Sequence, residues 1–130
     1  MKDLKYIGLL LFDGVEELDA VGPWEAISWW TRNHPEDGYR IITVADDLGA
    51  VTCAKGLRML PLMTSGCTGA LDPTITVRPH DRFVDDGDTI TSSGVSAGID
   101  GALHLVSRLA GPDRARETRR GSQYDPEPPV

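Results

Sequence analysis

Long apolar runs are missing from this chain. The longest, Ile7 to Phe12, is far shorter than the roughly 20 residues that cross a bilayer as a helix. Lys2, Asp3 and Lys5 precede it and Asp13-Gly14 end it before any small-residue cleavage site, so it reads as a strand and not as an export signal. An excess of positive charge is missing too. Twenty acidic residues face thirteen basic ones, a formal net charge of −7 with no basic stripe, which argues against a nucleic-acid partner. Cysteine is scarce. With only Cys53 and Cys67, and no export signal, free thiols in a reducing, cytoplasmic setting are expected over a disulfide.

What is present suits a soluble globular domain. At 130 residues, 40% apolar and 25% charged, the chain has the material for one packed core. The domain is expected to span residues 1–121. The stretch S-Q-Y-D-P-E-P-P-V, residues 122–130, is too rich in proline to continue a helix and reads as a tail.

Lys5 to Phe12 is nearly continuous in apolar residues, the pattern of a parallel strand buried on both faces. Glu16 and Glu17 place negative charge where the first turn of a helix favours it. Leu18, Val21, Ala26, Ile27 and Trp30 then follow at helical spacing. Gly22-Pro23 interrupts that pattern and predicts a kink or a restart, with Pro23 in a first turn. Asn33 to Gly38 ends the helix, and Tyr39 to Ala45 reads as a second strand. Val51 to Cys53 and Leu57 to Leu60 flank Ala54-Lys55-Gly56 as a hairpin. Further on, Ile75 to Val77, Arg82 to Val84 and Thr89 to Ser92 read as short strands, the last two joined by the turn D-D-G-D. A helix is predicted from Ala97 to Leu109, stopped by Gly111-Pro112, with a polar helical fringe after it. The order predicts an open α/β sheet.

The chemistry centres on Gly66-Cys67-Thr68-Gly69. Glycines around a short nucleophile let the backbone close into a strand-to-helix turn, and the helix N-terminus favours a thiolate. By itself the pattern is also that of an inert, half-buried cysteine. Asp19 alone is a helix-start carboxylate, and Cys53 is a structural hairpin residue. His34 reads as a solvent-facing turn residue; His80 and His104 read as surface and core-edge residues. Asp85, Asp86 and Asp88 read as a turn, since the calcium-loop spacing with its terminal Glu is absent. Trp24, Trp29 and Trp30 are expected in the core or at a subunit contact.

Four segments stand in an order shared with one family: F-D-G-V-E-E-L-D-A-V-G-P-W-E, S-G-C-T-G-A, R-F-V-D-D-G-D-T-I-T-S-S-G-V-S-A-G-I-D-G-A-L-H-L-V and Q-Y-D-P-E-P-P. The chain resembles the DJ-1/PfpI superfamily of class I glutamine-amidotransferase-like domains, and within it the isonitrile-hydratase-like branch. The resemblance implies a flavodoxin-like three-layer sandwich around a mostly parallel sheet, commonly a homodimer, acting on a small molecule without a cofactor or metal. By position it makes Cys67 the elbow nucleophile and Asp19 the acid facing it. Gly66, Thr68 and Gly22 would then lie beside the substrate.

The resemblance also implies two internal gaps. Between Leu60-Pro61 and Leu62-Met63 it calls for a parallel strand ending in a P-G-G-type loop, and a helix. Between Leu71 and Asp72 it calls for the rest of the elbow helix with further strand and loop. Such gaps leave the sheet incomplete and impair catalysis. Two other function classes therefore stand beside the enzyme: a non-catalytic ligand-sensing or remnant domain, and a redox-sensing thiol protein.

Overall fold

A computed structural model of the chain describes residues 3–64, 81–92 and 96–124. Strand β1 (Lys5–Leu10) lies parallel to β2 (Tyr39–Ala45), in register from Lys5 opposite Tyr39 to Leu10 opposite Val44. A short β5 (Met63–Thr64) adds in parallel to the other edge of β2, giving the order β1-β2-β5. Two antiparallel ribbons accompany this sheet: β3 (Val51–Thr52) with β4 (Arg58–Met59), and β6 (Phe83–Asp85) with β7 (Ile90–Ser92). Gly56 and Gly87 turn these ribbons at φ of 94° and 83°, backbone that a side chain would strain. Helices α1 (Glu17–Asn33), α2 (Ala97–Ala110) and α3 (Pro112–Gly121) complete the described fold. This is a flavodoxin-like α/β arrangement with its parallel sheet incomplete. Ile75 to Val77 lies outside the described residues.

The reading of β1 as buried on both faces needs correction. Leu11 is buried and Ile7 and Leu9 pack beside it under α1, in contact with Ala20, Ile27 and Trp30 and their neighbours. On the opposite face Tyr6, Leu10 and Phe12 remain 59%, 52% and 56% exposed. The reason is the placing of the helices: α2 and α3 pack on α1 and on each other, so all three share one side of the sheet.

Helix α1 also differs from expectation, because it runs unbroken through Gly22-Pro23, with Pro23 in its second turn. A proline there lacks the N–H that would bond the carbonyl of Asp19, four residues back. Glycine before it has no Cβ to clash with the ring, which lets the preceding residue stay helical. Glu16 and Glu17 do stand at the helix start, and they also grip the β3–β4 turn. Glu17 Oε1 accepts the Lys55 backbone N–H at 2.7 Å, and Glu16 pairs with the Lys55 ammonium.

The α1–α2 seam is built from small residues. Gly22 faces Ile99, Gly98 faces the Pro23 ring, and Ala26, Ile27 and Trp30 meet Ala102 and Val106. Contacts that climb both helices together make α1 and α2 parallel. Gly111-Pro112 does end α2, and Pro112 then opens α3 at a first-turn position, where its missing N–H costs nothing.

Arg114 of α3 clamps the end of α1. Its Nε donates to Asp37 Oδ2 at 3.0 Å, and the buried Trp30 indole donates to the same oxygen at 2.7 Å. His34, expected in solvent, is instead enclosed by Glu36, Glu117 and Arg114, with its side chain only 14% exposed.

Two predictions follow from this packing. Burial pushes the Asp37 carboxyl up, but the Trp30 and Arg114 donors outweigh it and hold it below the ordinary 3.8. A carboxyl lowered by folding adds stability that is complete above its unfolded value and is lost as pH falls through the folded one. The urea midpoint should therefore drop between about pH 5 and pH 3 more steeply in the wild type than in Asp37→Asn. At the seam, a Cβ on Gly98 would lie 3.0 Å and 3.2 Å from atoms of the stiff Pro23 ring. Gly98→Val should cost about 1–3 kcal/mol in the same assay, the usual range for overpacking.

Candidate active site

Asp19 stands in the first turn of α1, just past the C-terminal end of β1. Its Oδ1 is buried and has no hydrogen-bond partner, an arrangement that costs free energy unless something else supplies a donor. The side chain opens onto a cavity of about 490 Å³. One wall of this cavity is the outer edge of β1, from Lys5 to Leu9; the facing wall comes from β7 and α2, including Ile90, Ser92 and Leu105. Among the described residues Lys5, Asp88 and Arg108 are the other charged groups on its lining.

Gly22 lies inside α1 and is buried, so its N–H belongs to the helical ladder and not to a free loop. A Cβ there would come within 2.9 Å of Ile99, so glycine lets α2 approach the turn that carries Asp19. Cys67, Gly66 and Thr68 lie outside the described residues. Strand β5, which runs toward them, is bonded to β2: Leu62 N–H donates to the Thr43 carbonyl at 2.9 Å and Met63 pairs with Val44. Asp19 and its cavity sit at the other side of the β1–β2 pair. Among the described residues the structure thus brings Asp19 and Gly22 together.

Cys53 is buried beside Leu11, Val15 and Ala20 with a free thiol, as expected of a structural hairpin residue. Burial pushes this thiol up, and the nearby charges of Glu17, Asp13 and Glu16 raise it further.

One polar cluster was not anticipated in the sequence. Asp85 accepts from His104 Nε2 at 2.7 Å and from Arg108, and the Phe83 ring stacks on His104 at 4.7 Å. The hydrogen bond from His104 leads the effects that hold the Asp85 carboxyl low. Its signal was present: His104 and Arg108 are spaced i,i+4 and so share one face of α2. Asp85, read from the sequence as part of the turn, is the last residue of β6, paired with Ile90 and tied to a helix. Among the described residues no group of three or more His, Cys, Asp or Glu side chains is placed to hold a metal.

A parallel sheet with a carboxylate over a cavity just past the carboxyl end of β1 defines a flavodoxin-like α/β domain. Comparison with known proteins carries this further. Over 188 residues the chain is 27% identical to isonitrile hydratase of Pseudomonas putida, an alignment covering 95% of this chain and 80% of the relative. A span of 188 residues exceeds the 130 available here, so the relative holds residues within the aligned region that have no counterpart in this chain. The fold matches a ThiJ/PfpI family protein from Pseudomonas syringae with a TM-score of 0.73 and 22% identity, over the whole of this chain and 78% of that one. It also matches an AraC family transcriptional regulator from Pseudomonas putida, with a TM-score of 0.68 and 13% identity over 88% of this chain and 97% of that one. No family profile matches the sequence. The fold is thus shared with ThiJ/PfpI and DJ-1 proteins of known structure. In sequence, the chain is similar to isonitrile hydratase.

Differential labelling tests the expected role of Cys67. Iodoacetamide near neutral pH should modify one cysteine per chain, Cys67, with Cys53 reacting only once urea unfolds the protein. Peptide mapping that finds both labelled at equal rates in the native state would remove Cys67 from its special standing.

Proposed function

We propose that the chain is a cysteine-dependent, isonitrile-hydratase-like hydro-lyase, converting a small isonitrile and water to an N-substituted formamide. The observation that carries this reading is the buried, partnerless Asp19 oxygen over a cavity, in a chain similar to isonitrile hydratase. In the proposed reaction Cys67 sulfur bonds to the terminal isonitrile carbon and Asp19 delivers a proton to that same carbon. The product is a thioimidate. Water adds to its carbon, the carbon–sulfur bond breaks, and the thiol is released with the N-substituted formamide. Asp19 regains its proton within the cycle, so atoms and charge balance without a cofactor. Gly66 would close the turn beneath the nucleophile, Thr68 would line the substrate beside it, and Gly22 would allow α2 to wall in the Asp19 turn.

The chain as it stands is proposed to be impaired in this chemistry. The relative's surplus residues and the open side of β1 both support a missing wall, and losing one transition-state donor costs on the order of 3 kcal/mol. A second reading, a ligand-sensing domain without turnover, is favoured by the likeness to the AraC family regulator. A redox-sensing role would need only an exposed, low-pKa Cys67. We further propose a cytoplasmic homodimer. Exposed Leu60, Leu62 and Met63, 51–73% accessible, offer apolar surface for a second copy.

Formamide release from a simple alkyl isonitrile separates these readings. The chain itself should show negligible turnover. A version with the two gaps filled from the Pseudomonas putida relative should turn over, and Cys67→Ala should abolish that activity. Asp19→Asn should reduce it by about 10²-fold or more, in the range of a lost general acid. Robust turnover by the unfilled chain would refute the impairment, and silence from the filled one would favour sensing.

A further inference from the structure

Helix α2 begins weakly. Gly98 and Gly101 lie in its first two turns, and glycine lowers helix stability relative to alanine. Ser96 stands at its N-cap without a side-chain cap bond, and its hydroxyl instead accepts from Arg82 Nη2 at 3.3 Å. Yet this first turn carries the contacts that wall the Asp19 turn. A Cβ on Gly22 would lie 2.9 Å from Ile99, and one on Gly98 would lie 3.0 Å from the Pro23 ring. A weak helix start that holds so close a position needs fastening from outside.

Asp100 is the fastening point, and its two oxygens serve different segments. Oδ2 accepts from Arg82, just before β6, at 2.7 Å from Nε and 2.6 Å from Nη2. Oδ1 accepts from the Tyr124 phenol at 3.0 Å. Burial pushes that phenol above its ordinary 10 and the Asp100 carboxylate pushes it further, so at neutral pH it keeps the proton it donates. Tyr124 is aimed there by a built helix end. After α3 its N–H donates to the Arg119 carbonyl and the Gln123 N–H to that of Arg120, both at 3.1 Å, the Schellman pattern. Gln123 supplies the left-handed residue of that pattern at φ 52°, a place glycine fills without strain. The fold accepts backbone strain where it directs one phenol onto one carboxylate.

We propose that Tyr124 is a positioning residue of the Asp19 site, acting through Asp100 on the first turn of α2. The path is short and continuous. Tyr124 and Arg82 hold Asp100, the neighbouring Ile99 meets Gly22, and Gly22 stands one turn after Asp19 on α1. A residue beyond the last helix thereby sets the wall beside a carboxylate of the first. That the Asp19 turn serves a reaction rests on the functional reading above; the coupling of Tyr124 to that turn does not.

Native-state NMR signals of the full chain test this, because a loss of stability alone leaves them in place. Tyr124→Phe keeps the ring and removes only the hydroxyl. It should shift the Gly22 amide and the Asp19 carboxyl carbon. The Trp30 indole N–H, bonded to Asp37 beyond the far end of α1, should stay at its wild-type position. Hydrogen exchange of the Gly22 amide should quicken by about tenfold, the loss of one bond to a charged acceptor. Asp100→Ala should produce these changes at least as fully, and adding Tyr124→Phe to it should change nothing further. Asp100→Asn, whose amide oxygen still accepts the phenol proton, should stay closer to the wild type. Unmoved Gly22 and Asp19 signals in Tyr124→Phe would overturn the proposal, as would additive effects in the double variant. No isonitrile is present in these measurements, so their failure is told apart from a failure of the reaction, which formamide release reports.

Discussion

The described architecture depends on the close approach of α1 to α2. Gly22 and Gly98 let one helix start lie against the other, and Ala26, Ala102 and Val106 continue the seam to the buried Trp30. This approach aligns two strand–helix units in one direction, and it walls the cavity into which Asp19 opens. Among the described residues this is the most extensive contact between the two halves of the chain. The β6–β7 ribbon reaches the rest of the fold through α2, and α3 is held by α1 and α2 together.

Much of this was legible from spacing. The strand from Tyr39 to Ala45, the end of α1 at Asn33, the two ribbons and the start of α2 at Ala97 all follow from apolar period and turn residues. Three features were not legible, each for a physical reason. Pro23 is tolerated inside α1 because Gly22 relieves the clash that normally ends a helix before proline. The exposure of Tyr6 and Phe12 depends on which side the helices take, a tertiary outcome that an apolar run cannot encode. His34 is enclosed by Arg114, a residue eighty positions away whose helix looked like a polar fringe.

The candidate site was legible in part. Asp19 was singled out through a motif and stands over a cavity with an unsatisfied oxygen, whereas its alternative role as a helix-start carboxylate belongs equally to Glu17, whose Oε1 binds the hairpin. The cysteine turn lies outside the described residues, so Cys67 stays where the sequence motif put it. What could not be read beforehand was that β5 joins the β2 side of the sheet while Asp19 faces the β1 side. With only three residues between β4 and β5, β5 pairs where that short connection leaves it.

The bare face of β1 has a consequence for the chain in solution. Tyr6, Leu10 and Phe12 expose apolar surface next to an edge of β1 that no other described strand pairs, the combination that promotes association in register. What opposes this is the mutual repulsion of chains that each carry a net charge of −7. Colloidal stability of this protein is therefore electrostatic in origin. Salt that shortens the screening length, or acid that neutralises the carboxylates, lowers the barrier to self-association.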